Sequence, residues 1–139
     1  MSNWGGRLPE KEDTNVAGVP WASARIDSLT GATREGSVSV FDPIDGRLIK
    51  EIVTGLHPGN MAVSKDGLYI YVVNANSDNV SVINTTNDEI CEIINVRLQS
   101  DINYFWGDSP NALALSSDNT YLYVADGLDN AIAVVRLGK

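Results

Sequence analysis

Apolar and polar residues alternate along this chain in short bursts separated by turn-forming clusters. Ser37-Val38-Ser39-Val40-Phe41 has the period of two expected of a half-buried strand. Asp42-Pro43-Ile44-Asp45-Gly46 follows, where proline presets φ and the Asp-Gly pair suits a hairpin. Arg47 to Val53 is predicted to be the next strand. Asn60 to Ser64, Leu68 to Asn74 and Val80 to Asn84 give three more, separated by Lys65-Asp66-Gly67 and by Ala75 to Asn79. Tyr69-Ile70-Tyr71-Val72-Val73 is a nearly unbroken β-branched and aromatic run, which suits a strand covered on both faces. Glu89 to Val96 is predicted as a fourth strand, matching Arg47 to Val53 after a turn one residue shorter. No stretch has the 3.6-residue periodicity and caps of a helix. Met1 to Glu35 lacks periodic apolar residues and is predicted to be a long loop, partly ordered by Trp4 and Trp21.

The segment Pro58 to Asn84 is then repeated without a gap, 52 positions on. Proline falls on Pro110, Ala62 on Ala114, Ser64 on Ser116, Asp66 on Asp118, Tyr69 on Tyr121, Tyr71 on Tyr123 and Val82 on Val134. Such repetition marks stacked units that cannot bury their apolar face alone. Val80-Ser81-Val82 also matches Val38-Ser39-Val40, so the first hairpin is the second half of an earlier unit. Each unit is four short antiparallel strands, a to d from the inside out, and units of that kind are β-propeller blades. A two-sheet sandwich is the competing all-β arrangement, but it does not require two copies of one ungapped pattern. The expected fold is an all-β partial propeller of about two and a half blades in one domain, residues 1–139. Residues 1–35 are the loop, 36–57 the end of a first blade, 58–109 a second blade with an insertion at Arg97 to Ser109, and 110–139 a third blade lacking its last strand. Open flanks and strand edges expose surface that favours association. The chain is therefore expected to form a homo-oligomer or to dock on other propeller blades, with another copy able to supply the missing fourth strand after Leu137.

Composition narrows the partners. The 139 residues carry a formal charge of −8, which disfavours nucleic acid, since phosphate contacts need clustered Lys and Arg. No run reaches the length of a membrane span. The start, MSNWGGRLPEKED, lacks the apolar core of a signal peptide. The one cysteine, Cys91, excludes an internal disulfide and a Cys-based zinc site, and is expected to pack as a small hydrophobe in EICEIINV.

Asp66-Gly67-x-x-Ile70-Tyr71-Val72-x-Asn74, followed by Asn79-Val80-Ser81-Val82-Ile83-Asn84, resembles the YVTN-type β-propeller repeat of bacterial surface and periplasmic proteins. Ser109 to Ser116 with Leu122-Tyr123-Val124-Ala125 is an equal match. The start of the chain, with Gly36 to Val40 and Gly55-Leu56-His57-Pro58, is similar to the propeller of two-part proteins that also carry an alkaline-phosphatase-like phosphoesterase. The resemblance implies a periplasmic or cell-surface setting. In those proteins the metal and nucleophile belong to the phosphoesterase, so no catalytic residue is carried over here.

Antiparallel blades bring the b-to-c and d-to-a connections to one end, and every long irregular segment belongs to that set. The expected recognition face comprises Trp4, Arg7, Trp21, His57, Tyr104, Phe105 and Trp106. The plainer role for each is packing its loop onto the blades. His57 has no adjacent nucleophile or carboxylate in sequence, and it has no second histidine or Cys pair for a metal. No catalytic residue, metal site or cofactor is predicted. The expected function is a non-catalytic scaffold or binding module that self-associates or completes a larger propeller and presents one loop-rich recognition face. A small-molecule or glycan ligand is not defined by the sequence. The alternative is the propeller part of a hydrolase, either phosphoesterase-linked or lactonase-like, for which strand a offers Asn60, Ser64, Asn111 and Ser116.

Overall fold

The computed structural model describes residues 1–6, 9–19, 22–29, 31–98 and 107–138. They form twelve strands and no helix. The all-β prediction holds, and the sheets are blades. The second blade is complete, with β6 (Pro58–Val63), β7 (Tyr69–Asn74), β8 (Asn79–Asn84) and β9 (Glu89–Asn95) paired in chain order. The third has β10 (Pro110–Leu115), β11 (Tyr121–Asp126) and β12 (Ala131–Arg136), again in chain order. The first has β4 (Gly36–Phe41) and β5 (Leu48–Thr54), with the short strand β1 (Ser2–Asn3) as the inner neighbour of β4.

Alternation along each strand decides which blade a side chain meets. Val72 and Ile83 of blade two join Val38 and Ile52 of blade one in one buried cluster. Tyr71, Val73, Val80, Val82, Ile94 and Val96 point the other way, onto Leu122 and Val124 of blade three. Blade two is thus apolar on both faces because it has a neighbour on each.

The two flanks of the array differ. On blade three, Ile132, Val134 and Tyr123 are 65%, 60% and 40% exposed, whereas their counterparts Val80, Val82 and Tyr71 are 0%, 3% and 7% exposed. Blade three covers the counterparts, and no described residue covers the later set. On the opposite flank, the positions of blade one that alternate with Val38 and Ile52 are stitched by polar groups. Ser39 Oγ donates to Glu51 Oε2 at 2.8 Å, Asn3 Nδ2 to Glu51 Oε1 at 3.0 Å and to Ser39 Oγ at 2.6 Å, and the Ser37 hydroxyl also bonds Glu51. Burial alone would raise the Glu51 carboxyl, but these donors hold it below its ordinary value.

Three expectations need correction. The 1–35 segment is not all loop. Besides β1 it contains a hairpin, β2 (Val16–Val19) with β3 (Ala22–Arg25), and an ion pair from Arg25 to Glu35. The c-to-d turn is the same length in both blades. Phe41 pairs Leu48 as Ile83 pairs Ile90, and the bulge falls at the same place. That bulge also removes Cys91 from its expected role. Val82 faces Glu92 and Ile83 faces Ile90, so Cys91 is the unpaired extra residue and is exposed.

The a-to-b turns are built by one repeated device. Ser64 Oγ donates to Asp66 Oδ1 at 2.6 Å and accepts from Tyr69 N at 2.9 Å, and Asp66 also accepts from Leu68 N at 3.0 Å. Ser116, Asp118, Tyr121 and Thr120 repeat the arrangement at 2.6, 2.9 and 3.0 Å. The Ser116 hydroxyl and the Thr120 amide hold the Asp118 carboxyl well below the usual range. A depressed carboxyl stabilises the fold above its unfolded pKa and loses that contribution as pH falls through the folded one. Asp118→Asn is expected to melt earlier than the parent at pH 7, with the difference shrinking once pH drops below about 4. Thermal melts of both proteins from pH 7 to pH 2 check this.

Candidate functional site

The b-to-c and d-to-a connections meet at one end, as the antiparallel order requires. Between blades one and two, Ala75 N donates to His57 O at 3.1 Å and Asn76 N to Leu56 O at 3.2 Å. Between blades two and three, Gly127 N donates to Ser109 O at 3.2 Å and Leu128 N to Asp108 O at 3.0 Å. His57 and Ser109 are related by the repeat, and both have left-handed backbone, φ 56° and 50°. The entry into strand a needs this conformation whatever the side chain, so histidine at 57 is not a requirement of the turn.

Two members of the predicted face are described, and they touch. The Trp4 and His57 rings lie 3.8 Å apart at centroids, tilted by 38°. Trp4 follows β1 of blade one and His57 precedes β6 of blade two, so the contact ties two connections together. Trp4 remains 58% exposed despite this contact. Arg7, Trp21, Tyr104, Phe105 and Trp106 lie outside the described residues. Trp4→Ala is expected to change the fluorescence of the chain while leaving β-sheet circular dichroism intact, because the lost contact joins loops and not strands.

Of the strand-a residues, Ser64 and Ser116 serve the turns above. Asn60 Oδ1 accepts from Leu113 N at 3.2 Å, which links the inner strands of blades two and three. Among the described residues, no three His, Cys, Asp or Glu side chains are placed to hold a metal ion. A groove of about 380 Å³, lined by Thr120, Arg136, Leu137 and Gly138, lies away from these loops, at the turn end of the open blade.

Sequence reasoning missed a group of four aspartates at the second junction. Asp78, Asp108 and Asp126 are buried, and Asp129 is exposed beside them. Asp78 Oδ1 accepts from Ser109 N at 3.2 Å and Oδ2 lies 3.8 Å from Arg97 Nε. Asp108 Oδ2 accepts from Leu98 N at 2.5 Å. Burial, then the charges of Asp108, Asp129 and Asp78, push the Asp126 carboxyl up to about 6, and the nearby Ala133 amide opposes this only weakly. A hydrogen bond with Asp108 raises Asp129. The signal that would have found the group is position within the repeat, since the four residues come from three separate stretches of sequence.

No family model matches the chain. It is 30% identical over 115 residues to Antigen Lp49 of Leptospira interrogans serogroup Icterohaemorrhagiae serovar copenhageni (strain Fiocruz L1-130), covering 71% of this chain and 23% of that protein. Among solved structures it is similar to Kuenenia stuttgartiensis hydrazine synthase, with a TM-score of 0.61 and 28% identity, over 76% of this chain and 30% of the other. A provisionally assigned 6-phosphogluconolactonase from Bacteroides uniformis ATCC 8492 aligns at 14% identity and a TM-score of 0.48, over 82% of this chain and 52% of the other. The fold is propeller-like. The chain spans under a third of the length of the first two proteins. Among the described residues no helix is long and apolar enough to cross a membrane.

Proposed function

We propose that the chain is a non-catalytic β-propeller module, closed by further blades or by another copy, that presents its loop-rich end for recognition. The observation that carries this is the open flank of blade three. Ile132, Val134 and Tyr123 repeat an apolar face that blade two buries, and apolar surface of this kind favours removal from water. The polar stitching of Glu51 on blade one makes that flank the less demanding of the two. The YVTN-type resemblance and the antigen name of the leptospiral relative support a surface setting. On the loop-rich end, the exposed Trp4 ring over His57 offers a flat apolar face to a ligand.

The non-catalytic part is tested by incubating the purified chain with ester, lactone and phosphoester substrates, with and without divalent metal. Rates at the buffer background are expected. Metal-dependent turnover that survives repurification contradicts the reading and favours the hydrolase alternative.

A further inference from the structure

The two blade junctions are built on one plan but with different chemistry. The repeat relates Gly36, Leu56, Asn74 and Ser77 at the first junction to Asp78, Asp108, Asp126 and Asp129 at the second. Four neutral residues become four carboxyls on the same scaffold. Blade packing therefore does not demand the acids.

The first junction satisfies its polar groups in an ordinary way. Leu56 N donates to Ser77 Oγ at 2.8 Å. Asn74 Nδ2 donates to Asn79 Oδ1 at 2.8 Å and to Ser81 Oγ at 2.9 Å. At the second junction Ala131 and Ala133 occupy the positions of Asn79 and Ser81, so the partners are gone. Asp126 is 1% exposed, and among the described residues neither carboxyl oxygen has a hydrogen-bond partner of good geometry, the Ala133 amide acting on it only weakly. An ionised carboxylate left so is costly, and a protonated one much less so. Asp129 lies beside Asp108, whose side chain together with burial raises the Asp129 carboxyl. Among the described residues the charged groups acting on Asp126 are Asp108, Asp129 and Asp78, and Asp78 itself pairs with Arg97.

We infer that this junction is a proton-operated latch: protonated, it fastens Leu98 and Ser109 to the turn after β11, and ionised, it releases them. The fastening is visible in four backbone amides. Leu98 N and Leu128 N both bond Asp108, Ser109 N bonds Asp78, and Gly127 N bonds Ser109 O. All of them sit at the loop-rich end, so release changes the surface presented there. The sign follows from the raised carboxyl. Asp126, held up near 6 by burial and by its acidic neighbours, favours the closed junction while it keeps its proton. That contribution is complete below the ordinary carboxyl range and is lost as pH rises through about 6.

The test is amide hydrogen exchange of the full chain at pH 5 and pH 7.5, expressed as protection so that intrinsic pH effects cancel. Protection at Leu98, Ser109 and Leu128 is expected to fall by roughly tenfold or more between the two. Protection at Ala75 and Asn76, the corresponding donors of the neutral junction, is expected to stay level. Replacing the acids by the residues of the first junction, Asp126→Asn with Asp129→Ser, is expected to abolish the fall. An equal response at both junctions, or an undiminished fall in the double variant, overturns the latch. So does full recovery of protection at pH 7.5 on adding calcium alone, which makes the cluster a cation site. The comparison of junctions within the unmodified chain stands even if the variant folds poorly.

Discussion

Val82→Asp is expected to unfold the chain, whereas Val134→Asp, at the related position one blade on, is expected to leave it folded. Val82 is 3% exposed, packed between β8 of blade two and the inner face of blade three. A carboxylate there is taken out of water with no partner. The cost is roughly 3–5 kcal/mol or more, a large share of the 5–15 kcal/mol that holds an ordinary domain together. Val134 has the related register, opposite Tyr123 as Val82 is opposite Tyr71, but no fourth strand lies beside it among the described residues and it is 60% exposed. Its carboxylate keeps its water, so the intrinsic cost is small. What Val134→Asp removes is the apolar flank proposed to pack against another blade. Far-UV circular dichroism and urea titration separate the two outcomes. Equal damage from both substitutions would show that Val134 is already buried in solution by this chain itself.

Ile83→Ala is expected to cost about 2–4 kcal/mol, and Phe41→Ala under about 1 kcal/mol. These two residues are also related by the repeat. Ile83 is 1% exposed and sits with Val38, Ile52 and Val72 between blades one and two. Truncation leaves a cavity that two sheets must close, and paired strands close cavities poorly. Phe41 occupies the same register on the outer face of blade one and is 42% exposed. No described blade packs beyond it. Urea midpoints for the two variants give the comparison, and a Phe41→Ala loss as large as that of Ile83→Ala would contradict an open first flank.

Much of the fold was legible because the repeat carries its turns with it. Ser64, Asp66 and Tyr69 recur as Ser116, Asp118 and Tyr121, and the hydrogen bonds recur with them. The β2–β3 hairpin was hidden for a physical reason. Val16-Ala17-Gly18-Val19 is exposed throughout, so no buried face imposes a period on it. Cys91 was misjudged because a bulge shifts side chains to the other face, and the shift is invisible in an alternating pattern. The Trp4–His57 contact joins connections from two blades, a proximity that blade stacking creates and local sequence does not encode. The four aspartates escaped notice singly, since an Asp in a turn is unremarked. They become informative only when set against Gly36, Leu56, Asn74 and Ser77, which serve the same positions without charge.

The central claim is that this is a run of blades whose last flank is an interface. Sedimentation velocity of the unmodified chain and of Val134→Asp, from low to high micromolar concentration, tests it most directly. The unmodified chain is expected to sediment above its 15.0 kDa monomer mass, increasingly so with concentration, and the variant to return to the monomer. A folded, unmodified chain that stays at 15.0 kDa across the whole range would contradict the claim.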